Sequence, residues 1–266
     1  MMVAIAFLFG LLIGSFLNVC VFRLVRDLSV VTPRSFCIEC EKTIAWYDNI
    51  PVVSYLILHG RCRQCQAKIS VRYPAVELAT GLAFALCVAA YGAMLPAVKY
   101  AVFSALLIGL IATDFEELIL PDEFTLGGTF AGLVFSLFIP MEPGIISFFL
   151  PRTLNPRWYS LAESLFAALF FSGLFWLASW IYEKVRHREG MGFGDVKMIA
   201  MVGAFLGISG TELTLLIGGV LGVVVGGAYI LMARKKAAEY ELPYGSFLGI
   251  GAIVAVAFLY FQRGPR

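Results

Sequence analysis

The sequence predicts an all-α polytopic membrane protein, with about eight transmembrane helices and one small polar insert held by a metal. Three observations predict it. Hydrophobic residues make up 60% of the chain and charged residues only 14%, against about 25% charged in a soluble domain. Apolar runs recur from end to end, most of them close to the roughly 20 residues that cross a bilayer as a helix. The polar stretch between the first two runs carries two C-x-x-C pairs.

The candidate spans lie near residues 3–22, 74–92, 96–113, 124–140, 160–182, 196–208, 213–233 and 244–261. The first lacks a basic start and is followed by Arg23 and Arg26, so it reads as an anchor rather than a cleaved signal peptide. Tyr91-Gly92-Ala93-Met94-Leu95-Pro96 separates the second and third runs by a turn; the alternative is one kinked helix. Segment 141–159 reads as an irregular loop, with Pro140, Pro143, Pro151 and Pro156 in or beside it. The sixth run is short, so either it starts inside the bilayer or the preceding Gly192-Phe193-Gly194-Asp195 dips in. No internal repeat is expected. The domains divide as a first helix over 1–22, a cytoplasmic insert over 23–73 and a membrane-embedded core over 74–266.

Basic residues orient the chain. With the N-terminus outside, the inner segments hold Arg23, Arg26, Arg34, Lys42, Arg61, Arg63, Lys68, Arg72, Lys184, Arg186, Arg188, Arg234, Lys235 and Lys236, with Lys197 at the edge. The outer segments hold only Lys99, Arg152, Arg157, Arg263 and Arg266. Both termini are therefore expected outside. The net charge of +2 says little by itself, and no nucleic-acid partner is expected.

Cys37 and Cys40 bracket Ile38-Glu39, and Cys62 and Cys65 bracket Arg63-Gln64. Two such turns can aim four thiolates at one ion, and tetrahedral Zn²⁺ is the usual occupant. A closed four-sulfur shell leaves no open position, so the zinc is expected to be structural. Disulfides are the alternative, disfavoured by a cytoplasmic location. Cys20 and Cys87 lie in apolar runs and read as packing residues.

An acid at the mouth of a membrane segment is costly and usually has a task. Asp114 ends one apolar run and Asp195 opens another, and the basic residues place both on the inner face. Two such carboxylates sharing a proton can activate water and polarise a peptide carbonyl. Gly192 and Gly194 offer a substrate backbone close approach to Asp195, and Lys197 is a candidate substrate or Asp195 contact. The plainer reading makes Asp195 a helix cap. Asp122 competes with Asp114, and periodicity does not choose between them. In the N-terminal half, Gly14, Ser15 and Asn18 lie on the first span, while Arg72 and Glu77 flank the start of the second. These five read either as structural contacts or as substrate and cofactor contacts. Only His59 and His187 are present, which leaves histidine-dependent hydrolysis poorly supplied.

Taken together, the motifs resemble those of bacterial type IV prepilin peptidases, the GxGD-type aspartyl proteases that also N-methylate their products. The resemblance rests on Gly14-Ser15-Phe16-Leu17-Asn18-Val19, both C-x-x-C pairs, Asn49-Ile50-Pro51 and Arg72-Tyr73-Pro74-Ala75-Val76-Glu77. It continues through Asp114 to Leu120-Pro121-Asp122, Gly190 to Lys197, and Leu242-Pro243-Tyr244-Gly245. It implies Asp114 and Asp195 as the catalytic pair and a prepilin or pseudopilin as substrate, cleaved after a glycine at the cytoplasmic face of the bacterial inner membrane. It further implies S-adenosylmethionine as methyl donor, with Gly14, Ser15, Asn18, Arg72 and Glu77 as the candidates near methyl transfer. The first cysteine pair lacks the proline common in the family, and the stretch after Arg23-Leu24 lacks another. The competing classes are a proton-coupled transporter and a non-enzymatic, zinc-stabilised membrane assembly factor.

Overall fold

The computed structural model describes residues 1–141, 144–151, 154–187, 190–232 and 242–263. Of the residues used for orientation, Arg152, Arg188, Arg234, Lys235, Lys236 and Arg266 lie outside that set. The described chain is helical, with two isolated β-bridges. It divides into two compact units, Met1–Thr113 and Asp114–Arg266.

The first unit is built on α1 (Met2–Leu24) and α3 (Arg72–Tyr91), which pack along their length. Lipid tails are as apolar as leucine, so helices in a membrane associate through close packing rather than hydrophobic burial. The α1 sequence supplies that closeness through Gly10-Leu11-Leu12-Ile13-Gly14. A Cβ on Gly10 would meet the Gly81 backbone at 2.8 Å, and one on Gly14 the Glu77 backbone at 2.7 Å. Gly10, Gly14, Leu17, Asn18 and Val21 form the buried stripe of α1, while Leu8, Phe9, Leu12 and Phe16 are exposed apolar residues. Between α1 and α3 comes the polar insert, with a 3₁₀ turn at Trp46–Asp48 and the short α2 (Val53–Ile57). Gly92 ends α3 with φ +66°, and α4 (Leu95–Glu117) follows, so the second and third runs are two helices. Tyr91 stacks on Tyr100 across that turn, with ring centroids 5.0 Å apart. Cys20 and Cys87 are buried within their helices.

The second unit contains the last turn of α4, then α5 (Asp122–Phe138), α6 (Pro156–Arg186), α7 (Phe193–Leu221), α8 (Gly227–Met232) and α9 (Tyr244–Arg263). A π-helical turn, Gly222–Gly226, joins α7 to α8. Asn155 caps α6 by accepting the Arg157 N–H, with Pro156 in the first turn. Segment 141–159 is not wholly irregular, because Ile145–Phe148 forms a 3₁₀ turn.

Six helical stretches among the described residues are long and apolar enough to cross a membrane, against about eight expected. Two features account for the difference. α5 has 17 residues and falls just short. The sixth and seventh runs form one helical stretch, Phe193–Tyr229, with no loop between them. That stretch is not straight. Gly207 inside it has φ +68° and ψ −167°, a backbone that only glycine adopts at low cost. From Asp195 to Gly222 a straight helix would run about 40 Å. Yet a Cβ on Gly222 would lie 3.9 Å from the Tyr244 ring, and Tyr244 interacts with the charge of Asp195. The chain therefore doubles back at Gly207. The returning arm runs antiparallel to α9, with Gly218 against Leu248 and Gly226 against Leu242. The outgoing arm packs on α5 and α6, with Gly203 against Ala168 and Gly132 against Ala204.

Candidate active site and metal centre

The last turn of α4 carries Asp114, which is 5% exposed. Its Oδ2 accepts two hydrogen bonds from Ser246, one from the backbone N–H at 2.6 Å and one from the hydroxyl at 2.8 Å. Ser246 sits in the first turn of α9, 132 positions away in sequence. A helix start presents unpaired N–H groups and the positive end of its dipole, so it is a natural seat for a carboxylate. The chain reverses after α4 through Leu118, which has φ +55°. Leu120 then turns back into the site, where it is buried.

Asp195 lies in the first turn of α7 and is half-buried. Its carboxylate interacts electrostatically with Asp114 and with Tyr244. The fold thus brings the two predicted aspartates together, from the end of α4 and the start of α7. Asp195 does not cap the helix: Gly192 holds that position and no side chain caps it. Nor does Asp122 cap α5, where Pro121 holds the cap position. Asp122 instead forms an ion pair with Lys197, and the Lys197 ammonium also lies 5.2 Å from the centre of the Phe193 ring.

The glycines have distinct surroundings. A Cβ on Gly194 would meet Leu120 at 3.0 Å, and one on Gly245 would meet Leu120 at 3.0 Å and the Asp114 carboxyl carbon at 3.1 Å. Both therefore let helix starts close around Leu120. Gly192 is exposed, and a Cβ there would lie 3.5 Å from Asp195 Oδ2. Ser246 and Leu120 were missed as site residues in the sequence reading. The signal for Ser246 was its place directly after Leu242-Pro243-Tyr244-Gly245.

In the first unit the four cysteines converge, their sulfur atoms all within 4.8 Å of one another. Cys37 and Cys65 Sγ are 3.8 Å apart. Tetrahedral coordination at a Zn–S length of about 2.3 Å places sulfurs about 3.8 Å apart, so the spacing fits an ion and is far too long for a disulfide. The two turns share one hydrogen-bond pattern. Cys37 N–H donates to Lys42 and Glu41 N–H to Cys37, while Cys62 N–H donates to Ala67 and Gln66 N–H to Cys62. One step further out, Ile44 N–H donates to Ser35 and Ile69 N–H to Gly60. Residues 35–44 and 60–69 are therefore a repeat, contrary to the expectation of none; only the cysteines and the closing isoleucine match in sequence. Backbone N–H groups of Cys65 and Gln64 point at the Cys62 sulfur and hold its thiol down to about 7. Such a thiol is readily converted to the thiolate that binds metal.

Beside the cysteines a cavity of about 380 Å³ opens between the insert, α1 and the start of α3. Ser15, Asn18 and Glu77 line it; Gly14 and Arg72 are not among its lining residues. Gly14 serves the close crossing of α1 and α3, and Arg72 lies 4.7 Å over the Tyr73 ring. Glu77 accepts the Val52 N–H at 2.7 Å and a hydrogen bond from the Ser15 hydroxyl. Asn18 donates to the carbonyls of Gly14 and Tyr73, and its Oδ1 is buried without a partner among the described residues. Arg63 pairs with Asp48 at 2.6 Å and holds that carboxyl below the usual carboxylate range.

Comparison with known proteins bears on both regions. Residues 8–91 match the Bacterial Peptidase A24 N-terminal domain, and residues 101–227 match the Type IV leader peptidase family. A prepilin leader peptidase/N-methyltransferase of Pseudomonas putida is 33% identical over 96% of this chain and 90% of its own length. Proteins of the same description from Neisseria gonorrhoeae and Pseudomonas aeruginosa are 33% and 32% identical, over 90% and 94% of this chain and 85% and 88% of their own lengths. No solved structure matches.

Proposed function

The chain belongs to the type IV prepilin leader peptidase/N-methyltransferase family, and from that premise we propose that Asp114 and Asp195 are the catalytic pair that removes the leader. The observation that carries this reading is their approach in the second unit, from two separate helices, near enough for their charges to interact. The enzyme is bifunctional, an aspartyl peptidase and an N-methyltransferase.

Two carboxylates in electrostatic contact hold one proton between them. The ionised partner takes a proton from water, which attacks the carbonyl after the leader's last glycine. The protonated partner donates to the carbonyl oxygen and then to the leaving amine. Ser246 donates two hydrogen bonds to Asp114 Oδ2, which leaves Oδ1 for water and the shared proton. Gly192 gives the substrate backbone access beside Asp195. Lys197, tied to Asp122, closes the same edge, and the two contact substrate together with Gly194.

The substrates are prepilins or pseudopilins with a short basic leader. The protein sits in the bacterial inner membrane with both termini outside and the aspartates facing the cytoplasm, as the distribution of lysine and arginine supports. The functional parts follow: a first helix over 1–22, a zinc-binding insert over 23–73 and a protease core over 74–266. The four cysteines hold a structural Zn²⁺; their sulfur spacing and the N–H groups aimed at Cys62 support that choice. S-adenosylmethionine is the methyl donor, and its sulfonium supplies a methyl group to an amine. The cavity of the first unit suits it, since Tyr47, Tyr55 and Tyr73 line the walls and aromatic faces attract such cations. Gly14, Ser15, Asn18, Arg72 and Glu77 belong to or support that region.

The test is to incubate purified protein with a prepilin and S-adenosylmethionine and weigh the product. Loss of the leader together with gain of one methyl is expected. Retained cleavage after Asp114→Asn or Asp195→Asn overturns the assignment of the pair.

A further inference from the structure

We propose that the cavity of the first unit is the amine site of methyl transfer, and that Glu77 there removes a proton from the new N-terminus. The inference deepens the methyltransferase reading above and rests on it. Cleavage releases an α-amine with a pKa of about 8, so at neutral pH most of it is an ammonium without a lone pair. An ammonium is no nucleophile. The site must therefore take a proton before nitrogen can accept a methyl group.

Glu77 is placed for that task. It is a carboxylate on the cavity wall, 7% exposed, and its residue lies on the rigid α1–α3 crossing. The backbone is arranged around it: Val52 donates its N–H to Glu77 from a left-handed conformation, φ +62°. That conformation is rare for a β-branched residue, and such outliers concentrate at functional sites. Beside Glu77 stands Asn18, whose Oδ1 has no partner among the described residues and would accept an N–H from an amine once the side chain adjusts. A carboxylate and an amide oxygen are the acceptors that a primary amine requires.

Four of the other charged groups on the wall, Arg23, Lys42, Asp48 and Arg63, have partners. From α1, Arg23 donates to the carbonyls of Ser29 and Pro33 at 2.8 and 2.6 Å. From the insert, Arg63 holds Asp48 and Lys42 donates to Gln64 at 3.3 Å. Glu39 and Lys68 complete the charged lining. In the proposed step an N–H bond of the ammonium breaks, its electron pair stays on nitrogen, and the proton goes to Glu77. A methyl donor bound there would supply its methyl group to that lone pair, the electrons of the broken carbon–sulfur bond staying on sulfur as a neutral thioether.

The experiment uses full-length protein and a leaderless pilin peptide with a free N-terminus, so it does not depend on cleavage. Glu77→Gln should lower methylation at pH 7 by about 100-fold. Raising the pH to 9 should restore about tenfold in this variant, because the amine then loses its proton to water. Calorimetric titration with S-adenosylmethionine should show Glu77→Gln binding the donor as the unaltered protein does, while Tyr73→Ala binds it more weakly. Glu77→Asp, which keeps the carboxylate, should keep the unaltered pH profile. Equal loss at pH 7 and 9 in Glu77→Gln, or undiminished methylation, overturns the role of Glu77. If Glu77→Gln binds no donor, Glu77→Asp decides: a pH-dependent loss there also overturns it. If the unaltered protein never methylates the peptide, the methyltransferase reading fails and the role of Glu77 falls with it, an outcome distinct from a defect confined to the Glu77 variants.

Discussion

The two units hold their chemistry in different ways. The first encloses a cavity between an insert organised by four cysteines and the crossing of α1 with α3. The second sets its carboxylates where helices begin and end, at the last turn of α4 and the first turn of α7, with the first turn of α9 against Asp114. A cavity suits a small ligand that must be surrounded. Helix ends suit an extended peptide, because they offer free backbone groups and a dipole while leaving one side open. The contrast matches the two activities of the family and predicts that each can be damaged without the other.

The largest effect should come from the aspartates. Asp114→Asn and Asp195→Asn should each lower leader cleavage by about 1,000-fold or more, while methylation of a leaderless peptide stays near its normal rate. Parallel loss of both activities would break the division between units. Removing the metal is the reciprocal experiment. Structural zinc contributes about 10 kcal/mol or more to the folding of small metal-binding domains, and the insert has little core of its own. Stripping the ion with a chelator, or Cys37→Ser with Cys62→Ser, should open residues 23–73 to protease and abolish methylation. Cleavage should suffer much less. Metal content, peptide maps and both activities measured on one preparation check this.

What the sequence revealed follows the same division. Short-range patterns were legible: the helices from hydropathy, the metal site from C-x-x-C spacing, and the turn at Gly92. Pairing across long separations was not. Nothing local to Ser246 says that it meets Asp114, because that contact depends on how the arm after Gly207 returns beside α9. The reversal at Gly207 was hidden for a related reason, since hydropathy reports how apolar a run is and not where its backbone turns. The repeat of the cysteine turns is hardly visible in the residues because backbone hydrogen bonds carry it. The sequence offers Lys197 as a contact for substrate or Asp195, and its pairing with Asp122 again joins residues far apart in sequence.

Ser246 offers a finer cut. Ser246→Ala keeps the backbone N–H and loses the hydroxyl bond to Asp114. A hydrogen bond to a charged group contributes about 1.5–3 kcal/mol, so kcat for cleavage should fall at least about tenfold, with KM little changed. Ser246→Thr should restore much of it. A rise in KM alone would move Ser246 from positioning Asp114 to binding substrate. Gly207→Ala tests the fold of the same unit at a residue that carries no reacting group. A side chain at φ +68° and ψ −167°, a region open essentially to glycine alone, costs about 1–3 kcal/mol, and the new Cβ would lie 3.3 Å from the Met141 sulfur. The thermal midpoint of the second unit should drop by a few degrees, and the metal-bearing insert should keep its protection from protease.

The smallest effect concerns the acidic residues after Asp114. Glu116 and Glu117 are exposed, and Asp122 pairs with Lys197. A basic leader approaching the site would meet these acidic side chains at the end of α4. Exposed charge pairs are worth about 1 kcal/mol or less and weaken with salt. Reversing both residues, Glu116→Lys with Glu117→Lys, should therefore raise KM for a prepilin several-fold at low ionic strength. The effect should shrink as salt is added, with kcat unchanged. A leaderless peptide lacks the basic segment, so its methylation should be indifferent to the same change. A KM that does not respond would leave these glutamates as a solvated turn and put leader recognition elsewhere in the protein.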